Sequence, residues 1–428
     1  MDDERKNILG SITIPVEIIK DIQDKVKDII QFEEKIKEYV SQNTTNLLDA
    51  ILLGAITLEA SDIHLEPQED QIRLRIRLDG VLQDVVVFKK EIYHNLLSRL
   101  KLLSKIKLNV TEKPQDGRFT IVIENLPIEI RTSSLPTEYG ESIVMRILNP
   151  KNLKGLEDLG LRKDLYNIIE KEIKKPNGMI AIAGPTGSGK TTTLYAFLMK
   201  IYNSEIKIIT IEDPIEYHLK GVQQTQVEPE EGYTFAAGLM SIIRQDPDVI
   251  LVGEIRDLET AKISLQASLT GHLVLSTIHT NDVAGIISRL IDLGTSPSSI
   301  APALNMVVGE RLVRKVCKQC STLENPGPDE LLEIKKGLKK LSKEVELPKD
   351  LDSIKIPKIK TGGCKDCNFT GYKGRKGLFE IFLVDAQMEK FILESPAVSS
   401  IKELLVEKGM TTIYQSGLIE VVLGETTL

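Results

Sequence analysis

The sequence predicts an α/β protein: a parallel sheet with helices on both faces, preceded by a small α+β domain and interrupted by a cysteine-bearing insertion. Three observations carry that reading. Short, nearly all-apolar runs at Met179–Ala183, Ile206–Ile211, Val249–Val252 and Leu273–Thr277 alternate with helical segments, as strands buried on both faces do. Upstream, Ile72–Leu78 alternates strictly between apolar and basic residues, which marks a half-exposed strand of a different kind of sheet. Between the first apolar run and a helical segment at Thr192–Tyr202 lies Gly184-Pro-Thr-Gly-Ser-Gly-Lys-Thr191, a glycine-rich turn ending in lysine and threonine.

A chain of 428 residues is too long for one core and implies two or three domains. An N-terminal helical segment occupies 1–45 and the small α+β domain 46–150. A linker at 151–157 follows Asn149-Pro150, and the α/β domain runs from 158 to 428 with its insertion at about 315–375. Ile19, Ile22, Val26, Ile29, Ile36 and Val40 lie on one face of a helix over 16–40. Such a helix packs on the body or docks a partner, and the pattern favours packing. Leu47–Leu58 reads as a helix. Strands at 72–78 and 81–88 form a hairpin about Asp79-Gly80, Glu91–Leu108 is helical, and strands follow at 118–123, 127–132 and 142–148. Residues 328–358 are rich in Lys, Glu and Pro and show little periodicity.

Composition narrows the function classes. A net charge of −7, no tryptophan and 4% aromatics argue against direct nucleic-acid binding, which uses basic surfaces and stacking platforms. No apolar stretch approaches the roughly 18 residues of a membrane span, and Met1–Lys6 lacks the apolar core of a signal peptide. A cytoplasmic location is expected, with any membrane role exercised through a partner. The four cysteines, Cys317, Cys320, Cys364 and Cys367, form two Cys-x-x-Cys pairs, the pattern of a closed tetrahedral zinc site.

The glycine-rich turn fits G-x-x-x-x-G-K-[ST] in its required setting between strand and helix. Its glycines let backbone N–H groups wrap an anion at a helix N-terminus, which makes Gly184, Pro185, Thr186, Gly187, Ser188, Gly189, Lys190, Thr191 and Thr192 the candidate nucleotide-binding residues. Lys190 would reach the outer phosphates of ATP, and the Thr191 hydroxyl would bind Mg2+. Glu254 closes the run Asp248–Glu254 and would orient the attacking water. The preceding position, where many such proteins place a metal-binding aspartate, is Gly253.

Several segments together resemble the ATPases of type II secretion and type IV pilus systems. Glu212–Glu216 resembles that family's Asp box, Arg244–Asp257 its Walker B segment, and Thr270–Thr280 its His box. Ala60–Pro67, Pro114–Arg118 and Gly363–Arg375 are similar to further family segments, so the resemblance spans roughly 46–428. It implies a RecA-like ATPase domain in a homohexamer, with the small domain covering the nucleotide. It gives roles to Glu212 and Asp213 at magnesium, to Arg118, Arg131 and Arg244 at phosphate, and to His279 as a γ-phosphate sensor or a relay of strain across subunits. ATP, Mg2+ and structural Zn2+ follow. So do partners: an inner-membrane platform protein and the cytoplasmic-side components of the machine. The cysteine pairs point to the assembly or secretion motors rather than the retraction motors. Met240 departs from a family arginine, and a P-loop nucleic-acid translocase or a non-hydrolysing scaffold are the readings from other classes.

Overall fold

The structure is a computed structural model. It describes residues 11–280, 282–339, 341, 345–348 and 350–428. It forms two compact units.

The first unit comprises residues up to Asn152, together with Cys317–Cys320 and Lys360–Gly374. Its elements are β1 (Ser11–Thr13), α1 (Val16–Lys25), α2 (Ile29–Val40), α3 (Thr44–Thr57), β2 (Asp62–Pro67), β3 (Gln71–Leu78), β4 (Val81–Lys89), α4 (Lys90–Leu103), β5 (Gln115–Ile123), β6 (Leu126–Thr137) and β7 (Gly140–Leu148). They build one sheet of order β1-β5-β6-β7-β2-β3-β4, antiparallel except where β1 runs parallel to β5. Alternate residues of β3 are buried, so Ile72, Leu74 and Ile76 join the core while Arg73, Arg75 and Arg77 face outward.

The single helix expected over 16–40 is two helices. Asp28 turns extended, and its carboxylate accepts from the Gln31 N–H at 2.9 Å, starting α2 afresh. Both helices pack: Ile19, Ile22, Phe32 and Ile36 belong to the same core as the sheet. Likewise α4 stops at Leu103, not 108, because the chain leaves the helix through Ser104 and a left-handed Lys105.

In the second unit the elements are α5 (Lys163–Glu172), β8 (Gly178–Ala183), α6 (Lys190–Ile201), β9 (Ile208–Glu212), β10 (Gln223–Gln226), α7 (Phe235–Ile243), β11 (Val249–Val252), α8 (Leu258–Leu269), β12 (Leu273–Ile278), α9 (Ala284–Asp292), α10 (Pro297–Ala303), β13 (Leu304–Val316), β14 (Ser321–Glu324), α11 (Pro328–Gly337), β15 (Ile356–Ile359), β16 (Tyr372–Leu383), α12 (Ala386–Leu393), α13 (Val398–Glu407) and α14 (Ile413–Val422). The main sheet has the order β10-β9-β11-β12-β8-β13-β16, and the pairs from β10 to β13 are parallel. Every residue of β8, β9, β11 and β12 is buried. Alternation divides them between two cores: Met179, Ala181 and Ala183 face α7 to α10, whereas Ile180 and Ile182 face α5 and α6.

The insertion is not one module. Residues Ser321–Ile359 group with the second unit, where β14 and β15 pair antiparallel and Ile334, Ile354 and Ile356 form a small core with Leu418 and Ile419 of α14. The cysteine-bearing turns group with the first unit instead. There the Asn368 side-chain oxygen accepts from the Ile29 N–H at 2.8 Å, and the Gly374 N–H donates to Asp79 at 2.8 Å. Among the described residues no helix is long and apolar enough to cross a membrane.

Helix α2 sits on α3 through one close approach. A Cβ at Gly54 would lie 2.0 Å from the Phe32 ring. Gly54→Ala should therefore destabilise the first unit by about 1–3 kcal/mol through overpacking. Chemical denaturation checks this, and an unchanged midpoint would separate α2 from the core.

Candidate nucleotide site and cysteine cluster

Strand β8 ends at Ala183 and α6 begins at Lys190, so the six residues between them must reverse the chain. Gly187 and Gly189 do so at φ of 78° and 109°, which side-chain-bearing residues rarely adopt. The turn places Pro185, Thr186 and Gly187 at the surface and buries Ser188. Lys190 folds back under the loop and is 9% exposed, with its ammonium donating to the carbonyls of Gly184 at 2.8 Å and Pro185 at 2.9 Å. Burial pulls its pKa below the lysine range, against the opposing attraction of Glu310 and Glu254. Thr191 is exposed at the first turn of α6, beside the free N–H groups of the helix start.

Glu254 follows β11, two strands from β8. One carboxylate oxygen lies 2.6 Å from the Arg256 guanidinium and the other 3.1 Å from Nε2 of His279, which follows β12. The structure thus brings Glu254, His279 and Lys190 to the same end of the sheet. Arg256, which sequence reading passed over within its motif, is a direct partner of Glu254; the cue was its place two residues on. Gly253 has a packing reason. A Cβ there would come 3.3 Å from the Glu212 Cα and the Ile211 carbonyl, so the tight junction of β9 with β11 leaves little room for an aspartate.

Glu212, expected at magnesium, is held by protein donors in the structure. It is 3% exposed, and its carboxylate accepts from the hydroxyls of Tyr195 and Thr210 and from the Gln224 amide. Burial raises its pKa against those three donors. It ties α6, β9 and β10 together, while the neighbouring Asp213 is exposed. Arg244 caps the end of α7 in solvent, donating to Ser241 at 3.3 Å, and Met240 is exposed one turn earlier.

Arg118 and Arg131 lie in the first unit, directly opposite each other on β5 and β6. Arg131 also faces Arg146 of β7, and Arg146 faces Asp62 of β2, so three arginines stand in one row across the sheet. Arg131 lies 3.3 Å from Glu129, and Arg146 lies 3.1 Å from Asp62. The sequence revealed Arg118 and Arg131 only through the resemblance. Arg146 becomes visible once the register is known.

The four cysteine Sγ atoms all lie within 4.8 Å of one another. Three of their separations are 3.8 Å, too long for disulfides and close to the spacing of about 3.8 Å that Zn–S bonds of about 2.3 Å give in a tetrahedron. Burial pushes the Cys367 thiol up, but N–H donors from Cys364 and Gly371, both at 3.2 Å, help bring it down to about 7. A set of four thiols with backbone donors to sulfur fits Zn2+.

A glycine loop between a buried strand and a helix, a lysine folded beneath it and a glutamate at a nearby parallel strand end define a P-loop ATPase. The chain belongs to the family described as Type II/IV secretion system protein, whose family model matches residues 38–428. The type II secretion system ATPase E of Vibrio cholerae is 40% identical over 406 residues, spanning 94% of this chain and 77% of that protein. The type IV pilus assembly ATPase PilB of Thermus thermophilus is 40% identical over 381 residues, spanning 88% of this chain and 41% of PilB. Among solved structures, the pilus retraction motor PilT with bound ADP superposes with a TM-score of 0.58 at 25% identity, covering 88% of this chain and 94% of PilT. The RecA-like expectation for the α/β domain, with a small α+β domain before it, agrees with these likenesses.

Metal analysis of the purified chain should find about one zinc per chain, and Cys364→Ser should lose it. Because the cysteine turns bond to Ile29 and Asp79, hydrogen exchange should rise at the start of α2 and at the β3–β4 turn. A metal-free chain with parental protection there contradicts the assignment.

Proposed function

We propose that this chain is a hexameric motor ATPase that drives type IV pilus assembly or type II protein secretion, working at the inner face of the cell membrane through a platform protein. The carrying observation is the approach of Glu254, with His279 on its carboxylate, to the end of the sheet that bears Lys190. The relatives' names support the machine, and the four-cysteine cluster favours an assembly or secretion motor over a retraction motor.

Each residue has a derivable task. The phosphate loop and the N-terminus of α6 turn N–H groups outward and would bind the phosphates of ATP. Lys190 would exchange its two carbonyls for phosphate oxygens and leave the loop open. The Thr191 hydroxyl, and Asp213 rather than Glu212, would hold Mg2+, which when bound neutralises developing phosphate charge. Glu254 would orient water and accept its proton, while His279 fixes the carboxylate. Arg118, Arg131 and Arg244 offer guanidinium groups suited to phosphate. Zn2+ would be structural, since four thiolates leave no open position for chemistry.

Glu254→Gln should bind ATP with nearly parental affinity but turn it over at least ~10²-fold more slowly. Binding titration beside a phosphate-release assay decides it, and parental turnover would remove Glu254 from the chemistry.

A further inference from the structure

Below the phosphate loop lies a residue that no motif drew out. Glu310 sits on β13 just past Gly309, which pairs with Ala183 at the end of β8. It is 2% exposed. Its backbone carbonyl lies under Gly184 and its carboxyl under Gly189: a Cβ on the first would meet the carbonyl at 2.8 Å, and a Cβ on the second would meet Oε1 at 2.2 Å. The loop therefore closes directly onto this one residue from both of its ends. The other carboxyl oxygen, Oε2, is buried and, among the described residues, has no hydrogen-bond partner of good geometry, the Thr193 hydroxyl being the polar group that stands by the carboxyl. A carboxylate in that position would be a buried charge with little hydrogen bonding, a cost that the uncharged acid avoids.

We propose that Glu310 is a positioning residue of the phosphate loop: its uncharged carboxyl is the floor on which Gly184 and Gly189 close, and nucleotide is retained only while that carboxyl keeps its proton. The inference rests on the loop being the nucleotide site.

The electrostatics agree with the geometry. Burial raises the Glu310 pKa to about 8, with Thr193 and Lys190 of α6 opposing the rise. The other charges about Lys190 are Arg311, next on β13, and Glu254 beyond β11. The phosphate loop and β8 carry no charged side chain other than Lys190 at the loop's end. An ionised Glu310 would put a negative charge under an anion-binding loop in a medium that screens poorly, so it would oppose the phosphates that the loop attracts. The sign follows directly. The binding-competent neutral form dominates below the pKa and is lost as pH rises through it.

The test is the affinity of the full chain for Mg-ATP between pH 6.5 and 9.5, in the parent, Glu310→Gln and Glu310→Ala. In the parent, affinity should fall about tenfold by pH 9, where about one chain in eleven still carries the proton. Glu310→Gln keeps the shape without the charge, and its affinity should stay level over that step. Glu310→Ala should also lack the step, but its KM should rise more than its kcat falls because the loop has lost its floor. Lys190 also loses charge on the alkaline side, and Glu310→Gln separates the two titrations. An alkaline loss that persists in Glu310→Gln belongs to Lys190 and overturns the proposal, as does a parent that shows no loss. Lys190→Ala tests the underlying site: if it still binds ATP like the parent, the loop is not the nucleotide site, whatever Glu310 does.

Discussion

One contact organises the second unit: the Lys190 ammonium, nearly removed from water, on the carbonyls of Gly184 and Pro185. Burying an ammonium costs several kcal/mol unless its protons are taken up and opposite charges stand near. The fold meets that cost with the two loop carbonyls and with Glu254 close by. This makes the loop a closed, self-satisfied turn. A polyanion that competes for the same ammonium has the loop N–H groups and the start of α6 ready for it.

The parallel sheet exists to fix that contact. Buried β8, β9, β11 and β12 deliver the loop, Glu254 and His279 to one sheet end because parallel strands all finish on the same side. Glu212 serves the same end as an anchor. Its three donors hold α6 against β9 and β10, which fixes the helix that begins with Lys190.

Much of this was legible in the sequence. Apolar runs such as Met179–Ala183 announce strands buried on both faces, and the glycine pattern with lysine and threonine states its chemistry outright. Position-specific polar residues were harder. Glu212 reads as an acid at a strand end, and only the folded partners Tyr195, Thr210 and Gln224 show that it is an anchor. Glu310 lies in Val-Gly-Glu-Arg-Leu, a half-apolar strand with no sequence sign that the phosphate loop closes over it. The break at Asp28 hid within a helical period that continues across it, since a capping aspartate and a surface aspartate look alike in one dimension. The Cys-x-x-Cys pairs named their partners by spacing alone, yet the unit they would stabilise depended on Asn368 and Gly374 reaching Ile29 and Asp79.

The central claim is that Lys190 changes partners from backbone carbonyl to phosphate. A crystal structure of the chain with Mg2+ and a non-hydrolysable ATP analogue tests it most directly. The account predicts the Lys190 ammonium within about 3 Å of an outer phosphate oxygen, a hydrogen-bond distance for a charged pair, and detached from the Gly184 and Pro185 carbonyls. An analogue bound in the loop with Lys190 still on both carbonyls, or bound elsewhere in the chain, would contradict it.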